Sequence, residues 1–173
     1  MGESTKKLCL NGLLIALVCV ATMVLQIPIG GTGGYIHPGD SMIFVAAVFF
    51  GKREGAIAGG IGSALADILS GYAHWALFTL LIKALEGYLA GRLADYGRTH
   101  KFFTVRNMVG PLVAALWMVV GYFFGGAVLN TSFAVSLGSV PANLVQAAGG
   151  FVIYLALGVC LHQAKVYRLT ESH

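Results

Sequence analysis

The sequence predicts an all-α integral membrane protein with six transmembrane helices and both termini cytoplasmic. Three observations lead there. The 173-residue chain is 57% hydrophobic and 10% charged, with mean hydropathy +0.80, whereas a soluble domain carries roughly 25% charged residues. Apolar runs of bilayer length recur along it. Its basic residues collect on one side of the topology those runs imply.

The first span, 8–29, is interrupted only by Asn11, Thr22, Gln26 and Pro28. Spans 108–129 and 139–163 are similar, and each is long enough to cross a bilayer as a helix of about 20 residues. Span 74–94 is less uniform, with Lys83, Glu86 and Arg92 inside it. The tetrad "GKRE" (Gly51 to Glu54) separates span 40–51 from span 54–70. Span 40–51 covers only about 18 Å at 1.5 Å per residue, so it reads as a short helix that needs protein around it. Together the spans form a single transmembrane domain over residues 1–173.

With the N-terminus inside, the inner segments hold or closely flank Lys6, Lys7, Lys52, Arg53, Arg92, Arg98, Lys101, Arg106, Lys165 and Arg168. These are ten of the eleven Lys and Arg residues; the eleventh, Lys83, lies within a span, and the outer segments 30–39, 71–74 and 130–138 hold none. This is the asymmetry of the positive-inside rule. Merging the short helix with its neighbour would place basic loops on both sides. The formal net charge of +4 is spread along the chain and forms no nucleic-acid patch.

Several classes fall away. The first span is too long for a signal peptide, and no clear small-x-small cleavage site follows it. Cys9, Cys19 and Cys160 are odd in number and lie in spans, which points to buried free thiols rather than disulfides or metal ligands. No Cys/His spacing predicts a metal site. There is no G-x-x-x-x-G-K-[ST], and Ile36 occupies the last position of a would-be G-x-G-x-x-G. The chain is therefore expected to hydrolyse no ATP, to hold no cofactor and to be no enzyme, since no nucleophile–base pair emerges in the spans.

The outer connector "GGTGGYIHPGDSM" (30–42) has five glycines within residues 30–39. Glycines permit positive φ and close approach of the backbone to a ligand. One reading is a tight surface turn, with Asp40 capping the helix that follows. The other is a mobile lid over an outward-facing cavity, with Tyr35 and His37 touching what lies beneath. The glycine content exceeds what a turn needs and favours the lid.

A lid requires a cavity, and polar residues inside spans mark one. Trp75, Thr79, Lys83 and Glu86 share one helical face. Lys83 lies roughly 13 Å below the outer end of its span. Ser139, Asn143, Gln146 and Gly150 form a second stripe; Tyr122 and Asn130 complete the outline, and His74 sits at the rim. Aromatic faces with a few amides and an ion pair suit a small, flat, polar heterocycle. Other roles for the same residues stay open: Lys83 pairing only with Glu86 or with Asp67, Asn143 and Gln146 bonding helices together, and His74 being merely interfacial. Small residues recur as Gly55, Gly59 and Ser63, and as Gly12 and Ala16. Such faces let helices pack closely, within the chain or against a partner.

The stretch "YIHPGDSMIFVAAVFFGKREGAIAGGIGSALADILSGYAHWALFTLLIKALEGYLAGRL" resembles the signature region of vitamin-binding S components of energy-coupling factor (ECF) transporters. The likeness is to the hydroxymethylpyrimidine, pyridoxine or riboflavin-type group. It rests on the order G-D, G-x-x-x-G, A-D-x-x-S-G-Y and I-K-x-L-E-G, with "PANLVQ" as a second block. The resemblance implies a prokaryotic plasma-membrane protein that binds a small vitamin under the loop between helices one and two. It points to His37 and the glycine loop, then Trp75, Thr79, Lys83, Tyr122, Asn143 and Gln146 as contacts; the reading of the loop and span residues adds Tyr35, with Asp40, His74, Glu86 and Asn130 in supporting places. It also implies a transmembrane coupling protein and two cytoplasmic ATPases as partners, with ATP used by those ATPases. Gly12, Ala16, Gly55 and Gly59 would dock on the coupling protein, although helix one carries Gly12-xxx-Ala16 where two alanines are the family's pattern. The loaded protein would then reorient in the membrane.

The hydroxymethylpyrimidine or pyridoxine type is the favoured cargo, with riboflavin as the alternative. Two other classes compete: a self-contained carrier using Lys83 and Glu86 as an ion relay, and a scaffold using its glycine faces.

Overall fold

The computed structural model describes residues 3–29 and 34–166. Five long helices dominate: α1 (Glu3–Val24), α3 (Lys52–Leu69), α4 (Ala76–Leu93), α6 (Val105–Leu129) and α8 (Val140–Gln163). Between α1 and α3 lie β1 (Ile27–Ile29), β2 (Gly34–Ile36) and the short α2 (Gly39–Val45), while α5 (Tyr96–Thr99) and α7 (Phe133–Leu137) occupy connectors.

The first helix stops at Val24, five residues short of the span expected from hydropathy. Pro28 has no N–H to continue the helical ladder, and the β-branched Ile27 and Ile29 favour extended backbone. The strands pair antiparallel, Ile27 with Ile36, Pro28 with Tyr35 and Ile29 with Gly34. The fold is thus mostly helical, with a small hairpin that the all-α expectation omitted. Residues 30–33, the glycine-rich centre of the connector, lie outside the described residues.

The short second helix changes character midway. From Ala46 to Phe50 it is a π-helix, ending where the Gly51 N–H donates to the Ala46 carbonyl at 3.2 Å. Gly51 then adopts φ 124°, a region open to glycine, and the chain reverses at once into α3. Residues 43–49 are all buried. A helix apolar all round must be enclosed, and this one lies against α1, α3, α4 and α8.

The remaining helices pack in sequence: α1 on α3, α3 on α4, α4 on α6, and α6 on α8. The α3–α4 contact is nearly backbone to backbone. A Cβ placed on Gly55 would stand 3.0 Å from the Gly87 carbonyl oxygen and 2.7 Å from the Ala47 Cα. Gly59 is equally constrained, with the Lys83 carbonyl oxygen 2.7 Å from where its Cβ would be. Both glycines are buried, so these two expected docking residues serve internal packing. Gly12 and Ala16, by contrast, lie exposed on the outside of α1.

Pro111 sits inside α6 and leaves the Asn107 carbonyl without its helical donor. The Tyr154 hydroxyl from α8 supplies one at 2.9 Å, and Tyr154 is fully buried. The bundle's exterior is apolar: Leu13 and Leu17 on α1, Leu77 and Leu81 on α4, Leu116 and Phe124 on α6 and Val145 and Val152 on α8 are exposed. Three helical stretches, Thr5–Val24, Val105–Leu129 and Phe133–Gln163, are long and apolar enough to cross a membrane. The three cysteines are free, but only Cys19 is buried; Cys9 and Cys160 face outward, where apolar surroundings rather than a core accept them.

Candidate functional site

One cavity lies among the hairpin, α3, α4, α6, α7 and α8, with about 520 Å³ of unfilled space including its open mouth. From α4 come Trp75, at its N-terminal boundary, and Thr79, one turn apart. From α6 and its end come Tyr122, Gly126 and Asn130. Ser139, Asn143 and Gln146 follow one another along a single face at the start of α8, as the helical period requires. Tyr35 and His37 enter from β2 and the residue after it. Asp67 on α3 and Ser136 on α7 close the outline.

Gly126 makes room: a Cβ there would come within 3.4 Å of the Trp75 ring. The apolar walls are aromatic. Trp75 and Tyr122 meet edge to face with centroids 5.7 Å apart, and Tyr35 rests at 4.6 Å from Tyr72. The polar atoms are mostly tied in place. The Tyr122 hydroxyl donates to Thr79 Oγ1 at 3.2 Å, and the Tyr35 hydroxyl donates to Asp67 Oδ1 at 2.7 Å. The Asn143 side chain, 5% exposed, makes no hydrogen bond among the described residues.

Gln146 links the roof to the interior. Its Oε1 accepts the backbone N–H of His37 at 3.0 Å, and its Nε2 donates to Asp40 Oδ2 at 2.9 Å. Asp40 in turn receives the Lys83 ammonium, which also meets Glu86 Oε2 at 2.9 Å. Asp40, Lys83 and Glu86 have no exposed surface. The Lys83 ammonium also stands 5.5 Å from the Tyr122 ring centroid, so the ion cluster abuts the cavity wall from behind.

The His37 ring has a defined tautomer. The Gly39 backbone N–H donates to Nδ1 at 3.1 Å; Nδ1 therefore accepts, and the proton sits on Nε2. Burial, helped by the nearby Lys83 charge and opposed by Asp40, pushes the imidazole down to about 4. Burial and the adjacent Asp67 carboxylate push the Tyr35 phenol above its ordinary value, so it remains a donor.

Of the residues singled out from sequence, Tyr35, His37, Trp75, Thr79, Tyr122, Asn130, Asn143 and Gln146 converge on this cavity. Lys83 and Glu86 do not line it; they form the ion cluster behind it with Asp40. The question of Lys83's partner is answered by Asp40 and Glu86 together, not Asp67. Asp40 does not cap α2 either: the boundary residue is Pro38, without a side-chain cap, and the Asp40 carboxylate turns inward to Lys83 and Gln146. His74 is exposed and outside the lining, its ring 6.4 Å from that of Trp75. Sequence reasoning did not assign Gly126 and Ser136 to the site and took Asp67 only as an ion partner. Periodicity carried no signal for Ser136, because α7 has only five residues and is too short to display a repeat.

Comparison with known proteins bears on these features. The profile of the family described as "ECF-type riboflavin transporter, S component" matches residues 2–163. A Pyrococcus woesei protein, described only as an uncharacterized protein in a gap 3' region, is 39% identical over 148 residues, covering 83% of this chain and 93% of the relative. The thiamine precursor transporter HmpT of Lactococcus lactis subsp. cremoris (strain MG1363) is 31% identical over 166 residues, covering 95% of this chain and 93% of that protein.

Proposed function

The chain belongs to the ECF-type riboflavin transporter S-component family, and from that premise we propose that it is the vitamin-binding subunit of an importer whose cargo is a small heterocycle of the hydroxymethylpyrimidine or pyridoxine type. The observation that carries this reading is the cavity itself: aromatic walls from Trp75 and Tyr122, a free amide at Asn143, and a roof of Tyr35 and His37 held to Gln146. Aromatic faces stack a flat ring while a few fixed polar groups orient it. The likeness to a thiamine precursor transporter over nearly the whole chain supports a pyrimidine cargo.

The topology proposed is six spans with both termini cytoplasmic, in a prokaryotic plasma membrane. The loop 30–40 acts as the outer lid. Partners are a transmembrane coupling protein, met through the exposed Gly12 and Ala16 face of α1, and two cytoplasmic ATPases that supply the driving energy for reorientation. Asp40, Lys83 and Glu86 form a buried ion cluster that supports the site rather than a ligand contact.

A riboflavin cargo is the second reading, favoured by the description of the matching family. Titration of the purified chain with hydroxymethylpyrimidine, pyridoxine, riboflavin and thiamine, followed by tryptophan fluorescence, separates the two. Trp75 lies in the cavity wall, so saturable quenching by one of the smaller heterocycles, weakened in Asn143→Ala, is the expected result. Quenching by riboflavin alone moves the assignment to the second reading. No response to any of the four overturns this choice of substrate class and moves weight to the carrier and scaffold classes.

A further inference from the structure

Asp67 is the least explained residue of the cavity. It lies on α3, lines the open space and is 5% exposed. Its Oδ1 receives the Tyr35 hydroxyl at 2.7 Å. Its Oδ2 is buried and has no hydrogen-bond partner among the described residues. The Thr79 hydroxyl bears on the same carboxyl but completes no bond to Oδ2. The cationic side chain that serves neighbouring carboxylates, Lys83, is engaged by Asp40 and Glu86. A buried carboxylate oxygen left without a donor is costly, and a carboxylate accepts only. An oxygen kept in that state at a cavity wall is a place for a ligand's hydrogen-bond donor.

We propose that Asp67 is the specificity-determining contact of the cavity: Oδ2 accepts an N–H from the bound heterocycle and selects rings that carry an exocyclic amino group. The inference rests on the vitamin-binding reading above and sharpens it. A ring presenting a carbonyl at that place sets two acceptors against each other and is rejected, since a site built to receive a donor discriminates strongly against its absence. The Tyr35 bond to Oδ1 ties the contact to the roof, so the same carboxylate that reads the ligand also holds the segment above it.

The test compares two ligands on the unaltered full chain in detergent: a hydroxymethyl aminopyrimidine, and the matching oxopyrimidine in which a ring carbonyl replaces the amine. One charge-assisted hydrogen bond predicts tighter binding of the amine by roughly 10- to 100-fold. Asp67→Asn, whose amide offers both an N–H and a carbonyl, reduces the preference to a few-fold or reverses it. If the unaltered chain binds both ligands equally, or prefers the oxo compound, the inference is overturned while the binding role stands. A preference that survives intact in Asp67→Asn overturns the assignment to this residue. Binding of neither ligand, with other vitamins also failing, overturns the binding role and this inference with it. The ratio measured on the unaltered chain decides even where the variant cannot be purified.

Discussion

Gln146 holds the backbone of His37: its side-chain carbonyl accepts that residue's N–H at 3.0 Å, although the two are more than a hundred positions apart in sequence. The other end of the same amide donates to Asp40 at 2.9 Å. A single side chain on α8 thus joins the roof of the cavity to the buried ion cluster behind its wall.

Replacement Gln146→Leu keeps the volume and removes both bonds, orphaning the His37 N–H and one Asp40 oxygen. The expected outcome is a loss of ligand affinity of about 10- to 100-fold, in line with one or two buried hydrogen bonds. Isothermal titration of the variant checks it, and unchanged affinity would show that the roof is held by other contacts.

Lys83→Met strands two buried carboxylates, Asp40 and Glu86, side by side. Removing one partner from a buried ion cluster costs about 3–5 kcal/mol, which thermal unfolding in detergent should register as a large drop in Tm. Adding Asp40→Asn and Glu86→Gln to Lys83→Met should restore most of the loss, because the uncompensated charge is then gone. A carrier that relays ions through Lys83 and Glu86 predicts the opposite emphasis: little change in Tm, with transport abolished.

The His37 imidazole, held down to about 4 against an ordinary 6.5, sets a pH dependence. The folded chain keeps the ring neutral where the unfolded chain would protonate it, so its contribution to stability is fully present above pH 6.5 and is lost as pH falls toward 4. Protonation also breaks the Gly39 bond to Nδ1. Binding of a ligand that does not itself titrate should therefore be level from about pH 6 to 8 and decline below about pH 5. A midpoint near 6.5 in the binding curve would contradict the neutral, Nε2–H tautomer.

Tyr154→Phe removes the donor that Pro111 makes necessary and leaves the Asn107 carbonyl buried without one. A cost of about 1–3 kcal/mol follows, measurable as a lower Tm with ligand affinity unchanged, since Tyr154 is outside the cavity lining. Restoring the helical N–H with Pro111→Ala in the Tyr154→Phe background should recover part of it.

A Cβ added at Gly12, on the exposed side of α1, meets nothing within 4 Å. Gly12→Leu should fold and bind vitamin normally yet fail to co-purify with a coupling protein. Retained assembly would move the docking face off α1.

Hydropathy, charge asymmetry and helical spacing alone determined where the long helices run, where Gly51 breaks the chain, and which faces of α4 and α8 carry polar groups. These are local properties: a run of apolar residues or an i, i+4 repeat is complete in the sequence that displays it. Trp75 with Thr79, and Asn143 with Gln146, were legible for that reason. The tertiary structure decided what depends on which faces meet. It withdrew Lys83 and Glu86 behind the cavity by bringing Asp40 to them, and buried Gly55 against Gly87. It carried Asp67 and Ser136 into the cavity from helices whose patterns showed no site. The hairpin at 27–36 also emerged only in the fold, because Pro28 and its isoleucines end a helix that hydropathy by itself would prolong. Side-chain pairing between distant segments is a property of packing, and no periodicity within one segment contains it.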